Sequence, residues 1–181
     1  MKSRAITVSA ISAGLVAISL AIGIYLGFAD VFALIISSVF VILPLYLKSY
    51  KGAILTYLVG GVLGLIFGWF NFLYSFVFPA YFAFFGIYPI VNCFLKEKNV
   101  KKYISIIVGL VWCVAAFYGI YFYYTLVMGL DFNDLPSYLE WVSDFIVYTV
   151  GIFGVVFYFV YDRFLTVVKG IMDRYLGKII K

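Results

Sequence analysis

The sequence predicts an all-α membrane protein, a bundle of six transmembrane helices with both chain termini on the cytoplasmic side. Three observations predict it. All 13 Lys and Arg residues fall in four short stretches, Lys2/Arg4, Lys48/Lys51, residues 96–102 and residues 163–181, and the gaps between them are long apolar runs. Basic residues that flank membrane spans are retained in the cytoplasm, so each run must leave and return, which gives six passes. The acids agree, because Asp131, Asp134, Glu140 and Asp144 share one loop without a basic residue, which belongs outside. Composition points the same way: 66% of the 181 residues are apolar and 12% are charged, more oil than a water-soluble domain of this length can hide.

The net charge of +5 lies where spans end, with no basic domain outside the bilayer. These charges are therefore topology signals that also meet anionic lipid head groups, and nucleic acid is not an expected partner. The first apolar stretch follows Lys2 and Arg4 as a secretory signal would. It is too long for a signal core, and no small-x-small cleavage site precedes a polar start. Cys93 and Cys113 fall inside predicted spans, there is no CxxC and there is no His, so neither a disulfide framework nor a Cys/His metal site is expected.

Span 1 is expected over residues 6–28, emerging at Asp30, and span 2 returns over residues 31–47, close to the shortest stretch that still crosses hydrocarbon. Span 3 takes residues 52–69, with residues 70–76 as the second outer turn, and span 4 goes inward over residues 77–95. Span 5 climbs over residues 103–128 into the acidic loop 129–144. There Ser137 stands three residues before Glu140, a capping-box spacing that starts a helix feeding span 6, with Trp141 at the outer interface. Span 6 occupies residues 145–161 and closes the transmembrane domain, residues 1–161. Residues 162–181 then change character: Phe164, Leu165, Val168, Ile171, Met172, Tyr175, Leu176 and Ile179 recur at three and four, opposite Arg163, Lys169, Asp173, Arg174 and Lys178. This spacing predicts a separate amphipathic helix, lying in the inner head-group layer or presenting a docking face.

Within the spans the chemistry is sparse. Gly60, Gly64 and Gly68 line one face of span 3 at intervals of four and let another helix approach its backbone. Ser9, Ala13 and Ala17 make a similar strip on span 1, available to the bundle or to a second protein. Pro89 frees the carbonyl of Phe85 and predicts a kink in the inner half of span 4, and Asn92 beyond it is an amide for a neighbouring helix or the freed backbone. No ionisable residue is expected well inside any span, which argues against an enzyme, an ion-coupled carrier or a proton relay. Aromatic and polar residues gather at the outer ends. Asp30, Trp69, Asn71, Tyr81, Tyr118 and Trp141 are candidate ligand residues of an outward pocket, and an aromatic belt accounts for the same rings. With no charge at membrane depth, a ligand there is expected to be small, neutral or weakly charged, and aromatic.

The stretch Ala10-Ile-Ser-Ala13-Gly-Leu in span 1, the run from Lys51 to Gly60 opening span 3, and Phe84-Phe-Gly-Ile-Tyr-Pro-Ile90 in span 4 resemble small six-span proteins of Gram-positive bacteria. Those proteins belong with the substrate-binding S components of energy-coupling-factor vitamin transporters. The resemblance covers residues 5–125 and implies a plasma-membrane bundle whose outer pocket, lidded between helices 1 and 2, captures a vitamin or similar trace nutrient. It also implies partners: an alanine strip on helix 1, here Ala13 and Ala17 with Ser9 extending it, docks to a transmembrane coupling subunit that two ATPases drive. No cofactor is implied. The segment at the lid position, residues 25–30, is short, and a related fold serves as a scaffold in the cell-wall elongation machinery. A non-transporting envelope scaffold is therefore the alternative. Cysteines placed in the Lys48/Lys51 loop or in residues 96–102 should be protected from impermeant reagents in intact cells, and labelling of either loop would overturn the orientation.

Overall fold

The computed structural model describes residues 3–69, 75–127, 129 and 140–179, with backbone only for residues 127, 140–144 and 175–179. Six of its helical segments are long and apolar enough to cross a membrane, and no strand occurs among the described residues, so the chain is an all-helical multi-pass membrane protein. The α-helices are α1 (Ser3–Tyr25), α2 (Asp30–Ile42), α3 (Tyr50–Gly68), α4 (Val77–Ala80), α5 (Tyr88–Glu97), α6 (Lys102–Phe122) and α7 (Glu140–Ile179). A 3-10 turn, Leu43–Leu47, finishes the second span around Pro44. Lys48 then turns the chain in the left-handed region at φ 52°, and Ser49 caps α3 by accepting the Gly52 N–H at 3.1 Å.

Two groups of helices flank a central span. α1 packs along α2 and α3, α6 packs along α7, and the fourth span, Val77–Glu97, touches members of both groups. It is 67% buried against 17–44% for the others, which makes it the core of the bundle. This span is broken into α4, a π-helical turn (Tyr81–Phe85) and α5, with Pro89 in the first turn of α5. The break begins earlier than the kink expected at Pro89. The helix widens before it reaches the ring, with the Gly86 N–H bonded back to the Tyr81 carbonyl at 2.8 Å. The Phe85 carbonyl that Pro89 frees accepts the Ser38 hydroxyl from α2 at 2.8 Å, and Ser38 Oγ accepts the Tyr161 hydroxyl from α7 at 2.7 Å. Around this junction Phe84, Phe85, Phe157 and Tyr161 stack and meet edge-on, with centroids 5.2–6.4 Å apart.

The seam between α1 and α3 is made of small residues. A Cβ on Gly60 would stand 2.7 Å from Val16 Cγ1 and 3.2 Å from the Ala13 carbonyl oxygen, and Gly64 and Gly68 meet Leu20 and Ile24 in the same way. Thr56 crosses the seam to the Ser9 carbonyl at 3.1 Å. Side chains that small bring the two backbones together along most of their length.

The boundary expected at residue 161 needs correction. α7 runs unbroken from Glu140 to Ile179, so residues 162–179 continue the last span and do not form a separate helix. Tyr158, Tyr161 and Leu165, with half-buried Phe157 beside them, extend one buried stripe across the expected boundary, which holds the helix against the bundle beyond it. Ser137 of the expected capping box lies outside the described residues. Replacing Gly60 by Leu should force α1 from α3 and lower stability by about 1–3 kcal/mol. Unfolding in detergent at the wild-type midpoint would contradict the seam.

Candidate functional site

Two of the aromatic residues expected at an outer pocket, Tyr81 and Tyr118, sit in separate helix interfaces. Tyr81 is fully buried between the third and fourth spans, where its hydroxyl donates to the Tyr57 carbonyl and Tyr57 donates to the Phe82 carbonyl, both at 3.1 Å. Tyr118 belongs to another interface, donating to the Val147 carbonyl on α7 at 2.9 Å over the space left by Gly151. Both rings hold helices together, which removes them from a shared ligand site. Trp69 ends α3 at φ 39° and is 62% exposed. Asn71 and the side chain of Trp141 lie outside the described residues.

Asp30 differs from these. It opens α2 beside Gly23 of α1, where the helix dipole favours a carboxylate, and it lies within electrostatic reach of Tyr124 at the end of the fifth span. One carboxylate oxygen, Oδ1, is buried and has no hydrogen-bond partner among the described residues. A carboxylate oxygen withdrawn from water in this way is an acceptor waiting for a donor.

The strip expected to dock a partner lies along the seam between α1 and α3. Ser9, Ala13 and Ala17 are 5%, 3% and 0% exposed, because they face the glycine strip of α3. Two small-residue faces in one chain satisfy each other, and the helix-periodic spacing that reveals such a face does not say what covers it. What α1 leaves uncovered is a different side, with Ile6, Ala10, Ile11, Ile18 and Ile22 exposed.

The principal polar cluster gives Asn92 the neighbouring-helix partner expected for it and adds an acid the sequence places beyond the last span. Asn92 on α5 donates to Asp162 Oδ1 on α7 at 2.8 Å and to the Tyr88 hydroxyl at 3.0 Å. Tyr88 in turn reaches Asp162 Oδ1 at 3.3 Å and the Tyr158 hydroxyl at 3.4 Å. Two four-residue spacings built it, Tyr88/Asn92 and Tyr158/Asp162, each placing a ring and a polar group on one helix face. That pairing was visible in the sequence, but Asp162 was placed beyond the last span, where an acid needs no explanation. A carboxyl oxygen held by an amide and a phenol from another helix is an interhelical lock. Cys93 and Cys113 are buried thiols, and no group of three metal-ligating side chains occurs among the described residues.

Asp162→Leu should leave Asn92 and Tyr88 without their acceptor and cost about 1–2 kcal/mol, with Asp162→Asn costing less because it keeps an acceptor oxygen. Thermal unfolding of the three proteins in one detergent measures this, and equal midpoints would contradict it. No known family model, curated protein or solved structure matches the chain, so a functional assignment rests on these residues and their geometry.

Proposed function

We propose that the chain is the membrane-embedded substrate-binding subunit of an energy-coupling-factor-type uptake transporter, with no catalytic activity of its own. Its ligand is a small aromatic nutrient that carries a cationic group. The observation that carries this reading is the Asp30 oxygen, without a hydrogen-bond partner among the described residues, at the end of the bundle away from the Lys48 turn, between α1, α2 and the end of the fifth span. The positive-inside rule turns that end outward, where a nutrient arrives. A half-buried carboxylate with one oxygen withdrawn from water favours a cation, and Tyr124 nearby offers a ring for stacking. Energy then comes from a transmembrane coupling subunit and two ATPases, since the chain offers no nucleotide-binding loop.

The second reading, a scaffold of the cell envelope, is favoured by the burial of Ser9, Ala13 and Ala17 against α3. Small residues buried in that seam serve the packing of α1 on α3, as a scaffold needs.

Purified protein should be stabilised, and its tryptophan fluorescence quenched, by a thiamine-like cation more than by a flavin-like neutral ring. Asp30→Asn should weaken that response about tenfold, as loss of a charge-assisted contact does. Folded protein that answers to neither compound, or an Asp30→Asn variant that binds like wild type, would defeat the binding-subunit reading. Association with envelope proteins and never with a co-expressed coupling module would then select the scaffold.

A further inference from the structure

At the end of the bundle opposite Asp30, three lysines from separate parts of the chain line one cavity of about 400 Å³: Lys48 after the second span, Lys96 on α5 and Lys169 on α7. We infer that this cavity binds a phosphate-class anion, supplied by the head group of an anionic phospholipid or by free phosphate. The inference is independent of the substrate reading, because it uses other residues at the other end of the molecule.

Convergence is the first argument. Lys48 is fixed by its left-handed backbone, with its N–H bonded to the Leu45 carbonyl at 2.8 Å, and the Tyr46 hydroxyl ties the same turn to the Lys169 carbonyl of α7 at 3.2 Å. Lys96 and Lys169 lie close enough for their charges to repel. Two ammonium groups held together on different helices are relieved by an anion between them.

Local acids offset this only in part. Glu97 and Asp173 line the cavity, which leaves three positive charges against two negative ones. Asp162 also attracts Lys96 from outside the cavity, so the excess of positive charge belongs to the cavity's own lining. The Lys96 ammonium makes a long hydrogen bond, 3.5 Å, to the Thr166 hydroxyl.

The walls make the second argument. Ile42, Leu45 and Cys93 line the same cavity, so a basic rim adjoins an apolar side where the spans end. A phosphate on the lysines with an acyl chain along Ile42 and Leu45 satisfies both surfaces. Basic pockets between spans at the positive end of a membrane protein are where anionic head groups bind.

The test uses the purified full-length chain in a neutral detergent, with its thermal midpoint followed during additions of phosphatidylglycerol, phosphatidylcholine or inorganic phosphate. Phosphatidylglycerol should raise the midpoint and phosphatidylcholine should not. The double variant K96Q/K169Q should need about tenfold more phosphatidylglycerol for the same shift, while R163Q, outside the cavity, should respond like wild type. If inorganic phosphate alone reproduces the shift with the same dependence on Lys96 and Lys169, the anion is free phosphate; if it does not, the head group is the source. Should K96Q/K169Q fail to fold, K48Q is measured instead and should show a weaker response than wild type. No shift with phosphatidylglycerol or with phosphate, or lysine variants that respond like wild type, overturns the inference.

Discussion

A backbone carbonyl inside a membrane bundle has no water to turn to, and Pro89 creates one such carbonyl at Phe85 in the most buried span. Much of the bundle is arranged around meeting it. Ser38 answers from α2 and Tyr161 orients Ser38 from α7, so one unmade helical hydrogen bond becomes a joint between three spans. Because Tyr161 is 123 positions away from Ser38 in the chain, this joint closes late in the sequence and holds the last span to the second. The rings of Phe84, Phe85 and Phe157 fill the space that the wider turn opens.

The other half of the bundle relies on a different economy. α1 and α3 carry small residues on their facing sides and gain contact through the approach of backbones, where the central span gains it through large rings. Polar groups then sit at defined levels: Thr56 on Ser9 in the seam, Ser38 on Phe85 at the break, and Asn92 on Asp162 below it. Each joins helices far apart in sequence, which gives the fold its register.

The six spans were legible because length and charge placement are local properties, and Lys48 and Lys96 mark span ends with little room for error. The freed Phe85 carbonyl was legible for the same reason, since it follows from Pro89 alone. Partners across space were not. Tyr81 and Tyr118 read as pocket rings because an aromatic near a span end looks the same whether it faces a ligand or another helix. Ser9, Ala13 and Ala17 read as a docking strip because the glycines that cover them are about 50 residues away along the chain. Asp162 looks like the start of a tail because hydropathy falls where charges appear, although the helix continues. Residues 130–139 and Asn71, part of the expected outer site, lie outside the described residues.

The continuity of α7 has a mechanical consequence. At 1.5 Å per residue, 40 residues make a rod of about 60 Å, twice the roughly 30 Å of hydrocarbon it crosses. Tilt within the range that membrane helices adopt cannot hide that length. The rod must stand out of the bilayer at one end or both, and Asp162, Tyr161 and Leu165 clamp it partway along. A clamped rod is a lever. A small rotation at the clamp sweeps the far end of α7 through a larger arc, and a change in bilayer thickness alters how much of the basic turn around Lys169 and Arg174 clears the head groups. The last helix thereby couples the depth of the bundle in its membrane to whatever its projecting end touches.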